Sequence, residues 1–422
     1  MKFTNPLRFP YWKGRLYLGN GSSGLPVGVK LERHALTIAA SRAGKGACFI
    51  IPNLRRWPHN ALVIDPKGEA ARETWGARMG MGQAVHVLDP FGVADVPDHL
   101  RARFNPLDAI DTNELTAREE IRVLADGLVM RHNRENAYFD NAAVDILAGV
   151  IAHTCDLAPP DERNMQSVAE IAAEVEEYRD ELASNGAAGG LMPAAASRLP
   201  DPEGNKPPGD FMGTVQESAG WLGSPSIQSV MTDSTFRLSD LKTKPCTVYL
   251  VLPPDMLNEH GRFLRLFVAA ALREMSRYEG GRRCLFVLDE FYALGRLESL
   301  VKAIGSLPSY GVHLWPILQD LGQLHEAYGR ETTESLFGNA DAQMFFGTSD
   351  MLTLQHVSDM LGMEREAVPQ FSGKTGGLVP RMSPQKIRAH VAKRPRDKVA
   401  QNAIVFAHGD SVLSVKPRPY FL

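Results

Sequence analysis

The chain has 422 residues, 44% of them hydrophobic and 23% charged, which is the composition of an ordinary globular protein and excludes extensive disorder. Its length predicts two or three domains. Its net charge of −3 argues against a protein that covers duplex DNA with its whole surface, although local basic patches are compatible with it.

The four cysteines stand singly, with no Cys-x-x-Cys pair, which is typical of reduced thiols in a cytosolic protein. The histidines lack the spacing of metal ligands, so no structural metal is expected. No signal peptide opens the chain, and no apolar run reaches the roughly 18 residues that a membrane helix needs. We therefore expect a soluble chain that is able to dock on a membrane partner.

The first hundred residues alternate short apolar runs with polar turns. After an irregular opening rich in Pro, Gly and aromatic residues, strands are predicted at "HALTIAA" (34–40), "ALVIDPKGE" (61–69) and "AVHVLDPFG" (84–92). Apolar runs of this length that end in polar residues predict buried strands of a parallel sheet, with function at their carboxyl ends.

From about Asp111 to Ser239 apolar residues recur at helical spacing. Helices are predicted at 112–130, 138–156 and 165–186, the last of them capped by a glycine, and the Gly- and Pro-rich stretch 189–211 predicts a mobile loop. We therefore predict an all-α domain, residues 111–239, inserted into an α/β domain that comprises residues 1–110 and 240–422.

Strand–helix alternation then resumes and continues to the end. Strands are predicted at 246–254, 284–290, 312–320 and 342–350, and helices at 260–278, 297–311, 333–340 and 352–362. The tail reads as a hairpin that turns at Gly409–Asp410.

The stretch "SRAGKG", residues 41–46, has the position of a phosphate-binding loop, between a strand and a helix. Loop amides and the positive end of the helix would bind phosphate oxygens, and Lys45 would reach the β- and γ-phosphates. Two parts of the strict motif are missing. Ala39 replaces the first glycine, which is tolerable at a strand end with φ below zero, and Gly46 replaces the hydroxyl that normally binds Mg²⁺. A Gly-rich helix start with a solvated lysine is the alternative interpretation.

Acidic and amide side chains follow two later strands. Asp289 and Glu290 end one of them, where the Asp can hold Mg²⁺ through water and the Glu can polarise an attacking water as a general base. Gln319 ends the next strand and could contact the γ-phosphate or that water. The turn "DPKGE" (65–69) either lines the same pocket or only fixes its own turn. Each residue could instead be a capping or surface group, but convergence at one sheet edge favours a nucleotide site.

The motifs "SRAGKGACFIIPNLRRW", "LVIDPKGE", "FVLDEFYALGRLESL", "YGVHLWPILQDLGQL" and "LFGNADAQMFFGTSD" together resemble the type IV coupling proteins, the TraG-like family of conjugation and type IV secretion. The match runs in register from about Leu36 to the end, interrupted mainly in the helical region. The resemblance implies a RecA-like P-loop ATPase with an inserted all-α domain for substrate selection. It also implies a hexameric ring at the cytoplasmic face of the bacterial inner membrane, which delivers DNA–relaxase complexes or effector proteins to the secretion channel.

Carried over by position, the resemblance implies ATP and Mg²⁺ as cofactors. Lys45, Glu290 and Gln319 take the catalytic and sensor roles, and Asp289 takes the metal through water. Because Gly46 lacks the hydroxyl, Asp65 is a further candidate beside Asp289 to hold the Mg²⁺ through waters. The residues implied in nucleotide binding are Ser41, Arg42, Ala43, Gly44, Lys45, Gly46 and Ala47.

Two departures from the family keep alternatives open. The family usually carries two membrane helices before this region, which this sequence does not show, and the loop lacks its hydroxyl. A nucleotide-binding cargo adaptor without hydrolysis is therefore one rival, and a DNA-pumping motor outside secretion is another. An arginine finger is not assignable, with Arg296 and Arg330 as candidates, and the basic stretch 390–398 predicts a solvated surface more than a DNA contact.

Overall fold

The computed structural model describes residues 3–131, 137–200, 211–277, 279–365, 377–393, 397–409 and 411–421. The strands in these ranges are β1 (Leu16–Asn20), β2 (Pro26–Val29), β3 (His34–Ala39), β4 (Asn60–Asp65), β5 (Ala84–Leu88), β6 (Cys246–Val251), β7 (Cys284–Leu288), β8 (Val312–Leu318), β9 (Ala340–Phe346), β10 (Met363–Arg365), β11 (Leu378–Pro380), β12 (Ala403–Ala407) and β13 (Ser411–Val415).

Helices lie between these strands, many of them short. A π-helical turn (Gly46–Ile50) leads into the first, and the α-helices are α1 (Ile51–Leu54), α2 (Glu69–Gly80), α3 (Ala117–Leu128), α4 (Ala137–Leu157), α5 (Met165–Ala173), α6 (Arg179–Ser184), α7 (Ala187–Ala196), α8 (Phe211–Gly220), α9 (Pro225–Met231), α10 (Asp240–Thr243), α11 (Leu257–Met275), α12 (Glu298–Ala303), α13 (Leu321–Gly338), α14 (Met351–Leu361) and α15 (Pro384–Val391).

Nine of the described strands form one sheet, in the order β13-β12-β9-β3-β8-β7-β4-β6-β5. All neighbours from β9 to β5 are parallel, and β12 and β13 add an antiparallel pair at one edge. Strands β3, β4, β6, β7 and β8 are buried along their whole length, because both faces of a parallel sheet are covered. The predicted mostly parallel sheet and final hairpin are confirmed, although Asp410 in the hairpin turn lies outside the described residues.

The order of the strands decides which loops meet. β8 lies between β3 and β7, and β4 lies beside β7 on its other side. Since these four strands are parallel, the residues that follow them emerge at one edge of the sheet. We call this edge, with the loops after β3, β4, β7 and β8, the carboxyl edge.

The helical region differs from its prediction in three places. The single helix predicted over 165–186 is broken, because Glu174 leaves helical geometry (φ −122°, ψ 28°) and the chain turns before α6 begins. The turn lets Val175 and Leu182 enter the same core. The second difference concerns the stretch predicted as a mobile loop from residue 189.

The first part of that stretch, residues 189–196, belongs to helix α7. Ala188, Gly189 and Gly190 form a left-handed turn, with φ of 50°, 63° and 76°, and the helix proper follows with Pro193 in its first turn, where a missing N–H is harmless. Leu191 and Met192 are buried, so apolar packing overrides the composition. Residues 201–210 of the predicted loop lie outside the described residues. As a third difference, helices α8 and α9 have no counterpart in the predictions, and outside this region α2, α10 and α15 have none.

Helices α3 to α9 pack on one face of the sheet. Buried residues of α3, such as Leu124, share one hydrophobic cluster with Leu62 of β4 and Leu266 of α11, whereas the other sheet face forms a second cluster. The described residues between β5 and β6 form no strand. The division of the chain at residues 111 and 239 remains a prediction. In the described ranges, no helix is both long enough and apolar enough to cross a membrane.

Candidate functional site

The loop after β3 has the geometry of a phosphate cradle. Ala39 is the last residue of β3 and has a negative φ, which is the condition under which an alanine can replace the first glycine of the motif. Arg42 (φ 60°) and Gly44 (φ 105°) then turn the chain sharply. Lys45 is already in helical geometry and caps the following π-helical turn, so loop amides and the positive end of a helix lie together.

Gly44 is required by two separate constraints. A side chain is strained at its φ, and a β-carbon there would lie 2.7 Å from Cγ1 of Val399. The amide of Ala400 donates to the carbonyl of Ala43 (3.0 Å), and Nζ of Lys393 donates to the carbonyl of Arg42 (3.0 Å). A segment far along the chain therefore supports the loop.

Lys45 meets the acidic pair after β7. Its Nζ lies 3.4 Å from Oδ1 of Asp289 and 3.4 Å from Oε1 of Glu290. The side chain of Lys45 is 11% exposed, that of Asp289 18% and that of Glu290 27%. The two sequence motifs predicted to converge are thus in contact, in a partly desolvated place where charges interact strongly.

Burial raises the pKa of Asp289 above its ordinary value, and the neighbouring Lys45 ammonium opposes that rise. A carboxyl group that is buried at a strand end beside a lysine has the perturbed titration that is common at functional sites.

Glu290 has a left-handed backbone, with φ 56° and ψ 43°. A non-glycine residue in this region costs about 1–3 kcal/mol and persists where the surroundings impose it, which happens most often at active sites. The conformation aims the carboxylate back toward the loop. No sequence signal predicted this strain.

Gln319 completes the contact set. It follows β8, the strand between β3 and β7, and its side-chain Nε2 donates to Oε2 of Glu290 (3.4 Å). The backbone amide of Gln319 donates to Oε1 of Gln323 (3.0 Å). The structure therefore joins Lys45, Asp289, Glu290 and Gln319 in one cluster. Their catalytic and metal roles, and the binding role of Ser41 to Ala47, remain predictions.

Asp65 has a structural position. It is buried, and its Oδ2 accepts the amide of Ala71 (2.8 Å) in the first turn of α2. Burial raises the pKa of Asp65 to about 6, an effect that backbone hydrogen bonds oppose and the charge of Asp289 reinforces. Of the two interpretations of the "DPKGE" turn, the structure favours turn fixing for this aspartate.

The two candidate arginine fingers differ in how far their side chains are tied to their own chain. Arg296 is held within its own chain, by Oε1 of Glu298 (2.5 Å) and by the carbonyl of Tyr328 (2.9 Å). Arg330 is exposed on α13. In the basic stretch 390–398, Lys393 contacts the loop as described, and residues 394–396 lie outside the described residues.

Sequence reasoning missed the contacts that the last residues make with the loop. The amide of Tyr420 donates to the carbonyl of Ala47 (3.0 Å), and its hydroxyl lies 3.5 Å from Oε1 of Glu69. No local pattern could have found them, because they depend on where the final strands place the chain.

Comparison with known proteins agrees with this architecture. A family model for Type IV secretory system conjugative DNA transfer matches residues 2–385. The conjugal transfer protein TraG of Agrobacterium fabrum is 27% identical over 322 residues, which cover 73% of this chain and 47% of TraG. The protein VirD4 of Rhizobium rhizogenes is 28% identical over 357 residues, which cover 79% of this chain and 48% of VirD4. The chain thus spans about half the length of the curated relatives it matches.

A solved structure with the same fold is the bacterial conjugative coupling protein TrwBdeltaN70 in an unbound form. It has a TM-score of 0.70 at 16% identity, over 98% of this chain and 90% of that chain. TrwB in complex with ADP and Mg²⁺ has a TM-score of 0.69 at 16% identity, over 98% and 91%. This likeness confirms the predicted RecA-like P-loop fold. Together with the match over residues 2–385, it leads to one conclusion: the chain belongs to the type IV secretory system conjugative DNA-transfer family.

Proposed function

We propose that this chain is a coupling-protein ATPase, which binds ATP with Mg²⁺ on the loop 41–47 and uses hydrolysis to drive a DNA–relaxase or protein substrate toward a secretion channel. One observation carries the proposal. Lys45, Asp289, Glu290 and Gln319 come from three separate segments and form one contact cluster at the ends of three adjacent parallel strands. A solvated lysine and unrelated capping acids would not require this convergence.

The residues of the cluster fit the cofactor. Lys45 is held by two carboxylates, and a phosphate group would provide the same ammonium with negative charge. Bound Mg²⁺ would neutralise phosphate charge, and the buried Asp289 carboxylate is a suitable acceptor for its hydration waters. Glu290 would take the proton of the attacking water, and Gln319 would hold Glu290 in place.

The relatives support the wider role. TraG is named for conjugal transfer, and TrwB, named a coupling protein, has been solved with ADP and Mg²⁺. By this analogy the chain would act as a hexameric ring at the cytoplasmic face of the inner membrane, with helices α3 to α9 in substrate selection.

The direct test is steady-state ATP hydrolysis with Mg²⁺, with and without single-stranded DNA, in the wild type and in Lys45→Ala. The matched control is Lys30→Ala, since Lys30 is a surface lysine paired with Glu32. We expect turnover that DNA stimulates, that Lys45→Ala abolishes and that Lys30→Ala leaves unchanged. Tight ATP binding without turnover above Lys45→Ala would contradict the motor and favour a nucleotide-dependent cargo adaptor.

A further inference from the structure

The position of the missing hydroxyl is open space. A β-carbon built at Gly46 would meet, among the described residues outside its own helical turn, one atom within 4 Å: Oε2 of Glu69, at 3.9 Å. The φ of Gly46 is negative, so a side chain would not strain the backbone there. Unlike Gly44, Gly46 is therefore not required by crowding or by backbone conformation, and its lack of a hydroxyl needs another explanation.

Glu69 points one carboxylate oxygen at this space. It is the first residue of α2, and its other oxygen, Oε1, lies 3.5 Å from the hydroxyl of Tyr420, which can donate to it. Tyr420 is itself fixed, because its amide bonds to the carbonyl of Ala47 and the Arg55 guanidinium stacks over its ring at 4.7 Å. The carboxylate thus has one oxygen toward Tyr420 and the other toward Gly46.

The charge of Glu69 is uncompensated by an ion pair. Within the described part of the chain, no lysine, arginine or histidine nitrogen lies within 4 Å of the Glu69 carboxylate. Glu73, one turn along the same helix, instead pairs with Arg55 at 3.0 Å. An acidic residue in the first turn of a helix does interact favourably with the helix dipole. That interaction alone does not require the contact with Tyr420 or the approach to the loop.

We propose that Glu69 supplies, directly or through a coordinated water, the oxygen that Gly46 lacks for the Mg²⁺ accompanying the nucleotide, and that Tyr420 positions it. The proposal rests on the proposed nucleotide function. Carboxylate oxygens are the ligands that Mg²⁺ prefers, and one or two carboxylates with waters and phosphate form its usual site. Asp289 would provide one carboxylate and Glu69 the second.

The test compares the affinity for a fluorescent ATP analogue in excess EDTA with that in Mg²⁺. In Glu69→Gln we expect the enhancement by Mg²⁺ to fall by at least about tenfold, the loss typical of groups that orient a bound metal. Affinity in EDTA should stay equal or rise, because a negative charge near the phosphates is removed. Glu331→Gln, which is exposed on α13 and away from this contact chain, is the control and should keep the enhancement.

A rescue variant separates this role from a structural one. Since Gly46 has room, Gly46→Ser in the Glu69→Gln background restores an oxygen and should restore the enhancement. Tyr420→Phe should reduce the enhancement less than Glu69→Gln does. An unchanged enhancement in Glu69→Gln, or an equal loss of affinity with and without Mg²⁺, would overturn the proposal while the nucleotide function stood. If the wild type bound no nucleotide in either condition, the nucleotide function itself would fail.

Discussion

The carboxyl edge of the sheet and the helical region 117–231 differ in how they hold their acidic side chains. At the edge, Asp65 is buried and Asp289 is largely buried, both have raised pKa values, and Glu290 is held in a left-handed conformation. In the helical region Asp145, which is about as enclosed as Asp289, bridges the partly exposed guanidinium groups of Arg122 and Arg198 at 2.8 Å each.

The two regions also differ in what their interiors contain. Helix α4 is buried along most of its length and meets α7 closely enough that Gly149 lies against Ala195. Packing of this kind stabilises a fold, whereas buried carboxylates and strained backbone lower its stability and are retained where chemistry needs them. The comparison predicts that substitutions at the edge change function while keeping or raising stability, and that those in the helices lower stability and spare nucleotide binding.

The largest expected effect is that of Glu290→Gln on turnover. Loss of the proposed general base should lower ATP hydrolysis by about 10²–10⁴-fold, while ATP affinity stays within a few fold, because the amide keeps the size of the side chain. The measurement is single-turnover hydrolysis beside equilibrium binding, with the exposed Glu331→Gln on α13 as control. Turnover within threefold of the wild type would show that another group activates the water.

The next effect is a gain in stability from Asp65→Asn. Burial raises the pKa of Asp65 from 3.8 to about 6, a shift worth up to about 3 kcal/mol. Between these values the folded chain binds a proton that the unfolded chain lacks, so stability falls as pH rises through this window, and the penalty is complete above it. The variant should therefore exceed the wild type in free energy of unfolding at pH 8, with the difference vanishing near pH 4, as urea denaturation at both pH values would measure. A variant less stable than the wild type at pH 8 would mean that the carboxylate's hydrogen bonds outweigh its burial.

The smallest effect belongs to the helices. A β-carbon at Gly149 would lie 2.2 Å from that of Ala195, so Gly149→Ala should destabilise the chain by about 1–2 kcal/mol, the usual penalty of overpacking less the helix propensity of alanine. Gly76→Ala in α2, where a β-carbon meets nothing within 4 Å, is the matched control and should stabilise by about 1 kcal/mol. Thermal unfolding measures the stability of both variants, and equilibrium binding measures their ATP affinity. Weaker ATP binding in Gly149→Ala would break the separation between the regions.

Sequence reasoning reached the carboxyl edge because its logic is local. A run such as "CLFVLDE" predicts both a buried strand and the acidic residues at its end. Parallel pairing then brings the ends of such strands together. It was less successful in the helices. The break at Glu174 and the burial of Leu191 depend on which side chains the core accepts, which a helical period does not encode. The left-handed Glu290 and the contacts of Tyr420 with the loop are likewise set by tertiary structure.

The hydrogen bonds from Ala400 and Tyr420 to the loop 41–47 also bear on synthesis of the protein. A ribosome completes the loop at Ala47 long before it makes these residues. A ligand stabilises a chain only through a formed site. If the loop binds ATP as proposed, a nascent chain, or one truncated before residue 400, would therefore gain little from cellular ATP, and the nucleotide would selectively stabilise chains that have been made through Tyr420.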